Sequence, residues 1–164
     1  MARHSAAERF GEIEASLIAF LPASAEVLHV GSTAVVGCLT KGDLDVVVRV
    51  ARHDFSMAEA ELAVRYPRNL TSARTHDFSA FCAAPEVGIQ LTAIGGAFDF
   101  FHVFSDALRA APELIEAYNR LKRRYDGRPM EDYRKAKDAF VTALLANRGA
   151  QDEADRHGDA SAIR

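Results

Sequence analysis

Residues 28–50 read LHVGSTAVVGCLTKGDLDVVVRV. A short apolar run ends at Gly31-Ser32, and a segment of small residues follows. Lys41-Gly42 then opens onto Asp43-Leu44-Asp45 and a longer β-branched run. Alternate residues of a strand share a face, so Asp43 and Asp45 are expected side by side at the mouth of a strand, about 7 Å apart along the chain. Two carboxylates that close repel unless something cationic lies between them. A hard divalent cation such as Mg2+, which favours carboxylate and phosphate oxygens, suits that position. The exposed backbone N–H groups of a Gly31-Ser32 turn suit a phosphate. Each half alone has an ordinary alternative. A Gly-Ser turn is common loop chemistry, and Asp-x-Asp ahead of a strand also serves as a turn and capping device. The two together, at this spacing, favour a nucleotide with its metal.

Composition sets the frame for that motif. A chain of 164 residues is the size of one domain, and we expect a single domain over residues 1–149 with a frayed polar tail over 150–164. Half the residues are hydrophobic (49%), enough for a sizeable core. The net charge of −3 gives no general attraction to nucleic acid or to an acidic membrane surface, so a small-molecule partner is favoured. No apolar run approaches the roughly 20 residues that span a bilayer, and MARHSAAERF lacks the apolar centre of a signal peptide. Cys38 and Cys82 stand alone in apolar company, without zinc-ligand spacing. They read as reduced, packed thiols of a cytoplasmic protein.

The elements follow from periodicity. Ser5 to Glu8 form a capping box, and Phe10, Ile13, Leu17 and Phe20 recur at helical spacing, so a helix is expected over 6–20 with Pro22 after it. Strands are expected over Glu26–Val30 and Leu44–Val50, the second buried on both faces. Asp54 and Ser56 offer caps for a helix over 55–65, with Glu59 closing a second capping box. Strands over 78–83 and 87–94 meet at a turn through Ala84-Pro85-Glu86. A helix starts near Asp99. Another begins with Pro112 and places Lys122, Arg123 and Arg124 in its last turn. A last helix over 130–147 stops before Gly149. The layout is α+β: a small mixed sheet flanked by helices, with C-terminal helices packed on it.

Other polar residues have structural readings. Arg49 is in phase with the two aspartates and reads as a partner for a carboxylate. His29 and His102 read as packed histidines. Arg74, His76 and Asp77 form a polar cluster expected to border the pocket. Lys41 is the cation nearest the motif in sequence.

The residues quoted so far resemble the GrpB-like family, a branch of the nucleotidyltransferase fold. The resemblance covers roughly residues 27 to 147. Its first motif runs from His29 through Gly31, Ser32, Thr33, Val36 and Gly37 to Lys41 and Asp45. Its second runs from Phe104 and Ser105 through Arg109, Pro112 and Glu113 to Tyr118, Leu121 and Lys122. A third joins Tyr133 to Lys137. The chain carries Val36 where the family usually has Pro, and Gln90 and Thr92 where typical members have histidines. The resemblance implies a nucleotidyl group passed from a nucleoside triphosphate to an acceptor. Asp43 and Asp45 are then the catalytic carboxylates and hold Mg2+, with a two-ion site possible. Gly31, Ser32, Thr33, Lys41, Arg109 and Lys122 contact the nucleotide. The superfamily's third carboxylate comes from a later strand. Residues 87–94 contain no acid, which leaves Glu86 and Asp99 at their flanks as candidates. A nucleotide-binding or interaction module without catalysis is the other function that this pattern allows.

Overall fold

Residues 44–50, LDVVVRV, form strand β2 (Leu44–Val50), and the sheet is built around them. β1 (Glu26–Val30) pairs with β2 antiparallel, and β4 (Val87–Ala93) pairs with its other edge in parallel. β3 (Phe78–Ala84) closes the sheet against β4, giving the order β1-β2-β4-β3. The structure is a computed structural model that describes residues 2–160, with side chains described for 6–153. The chain divides into two compact units, Met1–Ala110 and Ala111–Arg164. It is α+β with a mixed four-stranded sheet, as the periodicity predicts.

In the first unit the two phases of β2 serve different ends. Leu44, Val46, Val48 and Val50 join Leu17 of α1 (Ala2–Ile18) and Phe55, Ala58 and Leu62 of α2 (Phe55–Arg65) in one hydrophobic core. Burying side chains of this size is worth about 1.5–3 kcal/mol each. The alternate phase, Asp45, Val47 and Arg49, points to the other face, with Asp43 just ahead of the strand. Helix α3 (Phe101–Ala110) packs against β1. The parallel pairing of β2 with β4 needs a long crossover, which α2 and β3 supply.

The helix ends hold the differences from expectation. α1 starts at Ala2, so Ser5 is not its boundary, and the expected Ser5 cap falls outside the described side chains. α2 has the expected bounds but a different start. Asp54 makes no capping hydrogen bond, because it has helical backbone angles and continues a 3-10 turn, Arg52–Asp54, into the helix. Glu59 pairs with Arg68 and Arg74 instead of closing a box. Tyr66 is extended ahead of Pro67, which ends α2. α3 begins two residues after Asp99.

In the second unit, α4 (Pro112–Tyr125) opens on proline and closes on three cations, as expected. Gly127, with φ +73°, makes the break before α5 (Met130–Ala160). α5 runs through Gly149 rather than stopping there. A glycine inside a helix costs about 1 kcal/mol, less than the helix-forming residues around it return. Residues 161–164, the end of the expected tail, lie outside the described residues. Tyr118 stacks on Phe140 at 5.5 Å, joining α4 to α5. No helix of the described residues is long and apolar enough to cross a membrane.

Candidate functional site

The turn after β1 and the start of β2 meet at Asp45. In the sheet Asp45 lies between Val30 of β1 and Gly88 of β4. Gly31 adopts φ 76° and ψ −169°, a region open essentially to glycine alone. A Cβ on Gly31 would lie 2.6 Å from Asp45 Oδ2, and one on Gly88 would lie 3.4 Å from Oδ1. The half-buried carboxylate of Asp45 is thus flanked by two residues without side chains. Asp43 is exposed just ahead of the strand. The structure therefore sets Gly31, and with it the adjoining Ser32, against Asp45, while the backbone of Asp43 is tied to Thr33 of the same turn.

Thr33 fastens this arrangement from within. Its hydroxyl donates to the Asp43 carbonyl at 3.1 Å and lies 2.9 Å from His29 Nε2. A carbonyl only accepts, so the hydroxyl proton goes to Asp43 and His29 Nε2–H donates to Thr33. That sets the His29 tautomer. Burial, and then the charge of Arg109, hold the imidazole below its ordinary pKa, so it is neutral at pH 7. It also stacks on Phe10 of α1 at 5.1 Å. Thr33 itself is buried and serves the packing of the turn.

Helix α3 clamps the same turn. The Gly31 N–H donates to Ser105 Oγ at 3.1 Å. Arg109 donates to the Ala34 and His29 carbonyls at 3.2 and 3.5 Å and pairs with Asp106 at 2.9 Å. Its contacts are thus to the backbone around Ser32. Sequence reasoning gave Ser105 no role, and a helix serine 74 residues from its partner carries no local signal of one. Lys41 is exposed on the loop before Gly42. Lys122 lies on α4 in the second unit, its ammonium 4.4 Å from the Tyr118 ring centroid.

The remaining acids near the strand ends are directed elsewhere. Arg49 binds Asp99 through two nitrogens, at 2.6 and 2.8 Å, and Glu26 at 2.6 Å. These bonds raise the pKa of the guanidinium. Burial pushes the Asp99 carboxyl up, but Arg49 and the Gly95 N–H outweigh it and hold it low. Arg49 is a structural partner, as its phase suggested. Glu86 is exposed in the β3–β4 turn, 3.8 Å from Arg9.

The polar cluster at Arg74 to Asp77 does not border Asp45. Arg74, Thr75 and His76 line an open cleft of about 440 Å³ with Phe55, Ser56 and Glu59 of α2. α2 follows the far end of β2, which lies about 17 Å along the strand from Asp45. Asp77 is buried there, accepting from the Thr75 hydroxyl at 2.7 Å and the Ala97 N–H at 3.2 Å. Ten residues of sequence proximity to β3 do not tell which end of the sheet the loop reaches.

Asp43 and Asp45 supply hard oxygen donors, with a bare glycine backbone beside Asp45. Mg2+ is held in many sites by one or two carboxylates with phosphate and water completing the shell, and this donor set fits that pattern. Among the described residues no group of three or more His, Cys, Asp or Glu side chains is placed to hold a metal.

Comparison with known proteins places this fold. A UPF0157 protein of Vibrio cholerae is 32% identical over 139 residues, covering 83% of this chain and 73% of its own length. The crystal structure of the conserved protein GrpB from Enterococcus faecalis superposes with a TM-score of 0.67 at 20% identity, over 87% of this chain and 92% of that one. A Cid1 poly(U) polymerase with MgGTP bound gives a TM-score of 0.39 at 15% identity, over 66% of this chain and 39% of that one, too low to establish a shared fold. The GrpB protein family matches residues 2–147. This chain belongs to the GrpB family.

Proposed function

We propose that this protein is a cytoplasmic, Mg2+-dependent nucleotidyltransferase-like enzyme that passes a nucleotidyl group from a nucleoside triphosphate to a small-molecule acceptor. The observation that carries the proposal is the close approach of Gly31 to Asp45, where a single added Cβ would lie 2.6 Å from the carboxylate oxygen. A turn of the kind that suits phosphate thereby lies directly against an acid of the kind that suits a metal. Asp43 and Asp45 would hold Mg2+, which when bound balances phosphate charge and polarises the phosphoryl oxygens. Gly31 and Ser32 set the triphosphate beside the acids. Ser105 and Arg109 hold the turn in place, so positioning is built in before the ligand arrives. Thr33 and His29 keep the turn joined to the start of β2.

The double variant Asp43→Ala/Asp45→Ala tests this reading. Pyrophosphate release from a nucleoside triphosphate with Mg2+ is expected to vanish while circular dichroism is unchanged. Release at the native rate would overturn it.

Gln90, an amide on the strand from which the superfamily draws its third carboxylate, favours a second reading: a module that binds nucleotide without transfer. Calorimetry with ATP, with and without Mg2+, separates the two. Metal-enhanced binding followed by pyrophosphate release supports the enzyme. Metal-independent binding without release supports the module.

A further inference from the structure

The whole-chain charge of −3 conceals a local reversal in the second unit. Residues 120–135, from the end of α4 into the start of α5, hold seven lysines and arginines against three acids. Exposed charges farther apart than about 8–10 Å are largely screened at cellular salt, so a ligand at this surface meets the local charge and not the average.

Part of this charge has a structural reading. Lys122, Arg123 and Arg124 sit in the last turn of α4, where cations balance a helix dipole equivalent to roughly half a negative charge. Arg123 and Lys135 also pair with Glu116 and Glu131. Arg120 and Arg128 escape that reading. The dipole acts over the last turn, and Arg120 lies before that turn while Arg128 lies past the helix. Both are exposed, as is Arg124, and among the described residues none of the three forms an ion pair with an acid. Arg120 and Arg124 are moreover like charges four residues apart, which weakens a helix. Three unpaired cations, two of them at a cost to the helix, point to an anionic partner.

The kind of anion follows from Tyr125. Its half-buried ring ends α4, with the guanidinium carbons of Arg124 and Arg128 at 6.0 and 5.8 Å from its centroid. Guanidinium groups beside an aromatic ring suit both the phosphates and the bases of an unpaired strand. A membrane surface fits less well. It needs a free apolar helix face, and that of α4 is taken by α5, with Tyr118 buried and stacked on Phe140. We propose that the end of α4 and the turn into α5 bind single-stranded nucleic acid, with Arg120, Arg124 and Arg128 on phosphates and Tyr125 against a base. This binding does not rest on the nucleotidyl transfer read from Asp43 and Asp45.

Fluorescence anisotropy of a labelled oligodeoxythymidylate with the full chain tests it. Affinity is expected to fall with salt at a log–log slope of about −2, from about −0.7 for each of three phosphates neutralised. The variant Arg120→Gln/Arg124→Gln/Arg128→Gln should bind at least about tenfold more weakly, with a slope near zero. Tyr125→Leu, which keeps apolar bulk but no ring, should lose about fivefold at an unchanged slope. No binding by the native chain, native affinity in the triple variant or in Tyr125→Leu, or tighter binding to phosphatidylserine–phosphatidylcholine vesicles than to the oligonucleotide would overturn the proposal. Should the triple variant fail to fold by circular dichroism, Arg128→Gln, which changes neither helix, carries the same test with a slope shallower by about 0.7.

Discussion

The Thr33 hydroxyl donates to the backbone carbonyl of Asp43 at 3.1 Å and so joins the glycine–serine turn to the start of β2. Thr33→Val keeps the shape but leaves that carbonyl and His29 Nε2–H without a partner. The expected cost is about 1–3 kcal/mol. Thr33→Ser restores the hydroxyl and should recover most of it. Urea unfolding of the three proteins measures this, and equal midpoints would contradict the role given to Thr33.

Gly31 and Gly42 make a controlled pair. Both have positive φ, 76° and 100°. A Cβ on Gly31 would run into Asp45, whereas one on Gly42 meets nothing within 4 Å. Gly42→Ala should cost only backbone strain, on the order of 1 kcal/mol. Gly31→Ala should cost clearly more and also weaken nucleotide binding, because Asp45 must move. Thermal unfolding with calorimetric titration of ATP reads both effects.

His29 gives a titration with a definite sign. Burial and Arg109 lower its pKa in the folded protein. The unfolded chain then takes up the proton more readily. Stability from this group is full above the ordinary value of 6.5 and is lost as the pH falls through it. Nitrogen-15 NMR should find His29 neutral with the proton on Nε2 at pH 7. In His29→Gln the stability slope just below pH 6.5 should flatten.

Glu59 titrates lower. Burial pushes its carboxyl up, but hydrogen bonds from Arg74, Arg68 and Ser79 win and hold it at about 2, against an ordinary 4.5. Its contribution is present above pH 4.5 and drains away as the pH falls toward 2. We expect on the order of 1–2 kcal/mol, reduced by the exposure of Arg74. Acid unfolding of Glu59→Gln should lack that part of the transition.

Much of the sheet was legible because burial on one or both faces writes itself into the sequence. Val46, Val47 and Val48 leave β2 no alternative, and the bounds of β1 and α2 follow from similar local patterns. Pro112 marked α4 just as directly. Helix ends without such punctuation were not legible: Ala2 precedes the apparent cap, and Gly149 keeps helical backbone angles instead of the left-handed ones of a glycine stop. The acids of the candidate site were visible in the spacing of Asp43 and Asp45. What holds them was not. Ser105 and Gly88 gain meaning only from strand register and helix packing, which no window of local sequence contains. The phase of Arg49 suggested a carboxylate partner, yet Glu26 and Asp99 are found only once both neighbouring segments are in place.

The bond from the Gly31 N–H to Ser105 closes a loop of 74 residues. During synthesis, the turn therefore waits for its anchor until α3 has emerged. A fragment ending before α3 would contain both aspartates and every residue of the glycine–serine segment, yet the turn would lose its Ser105 and Arg109 anchors and keep only the Thr33 bonds. Minimal versions of this protein made for ligand screening must extend at least through Arg109, whatever the apparent self-sufficiency of the motif near their beginning.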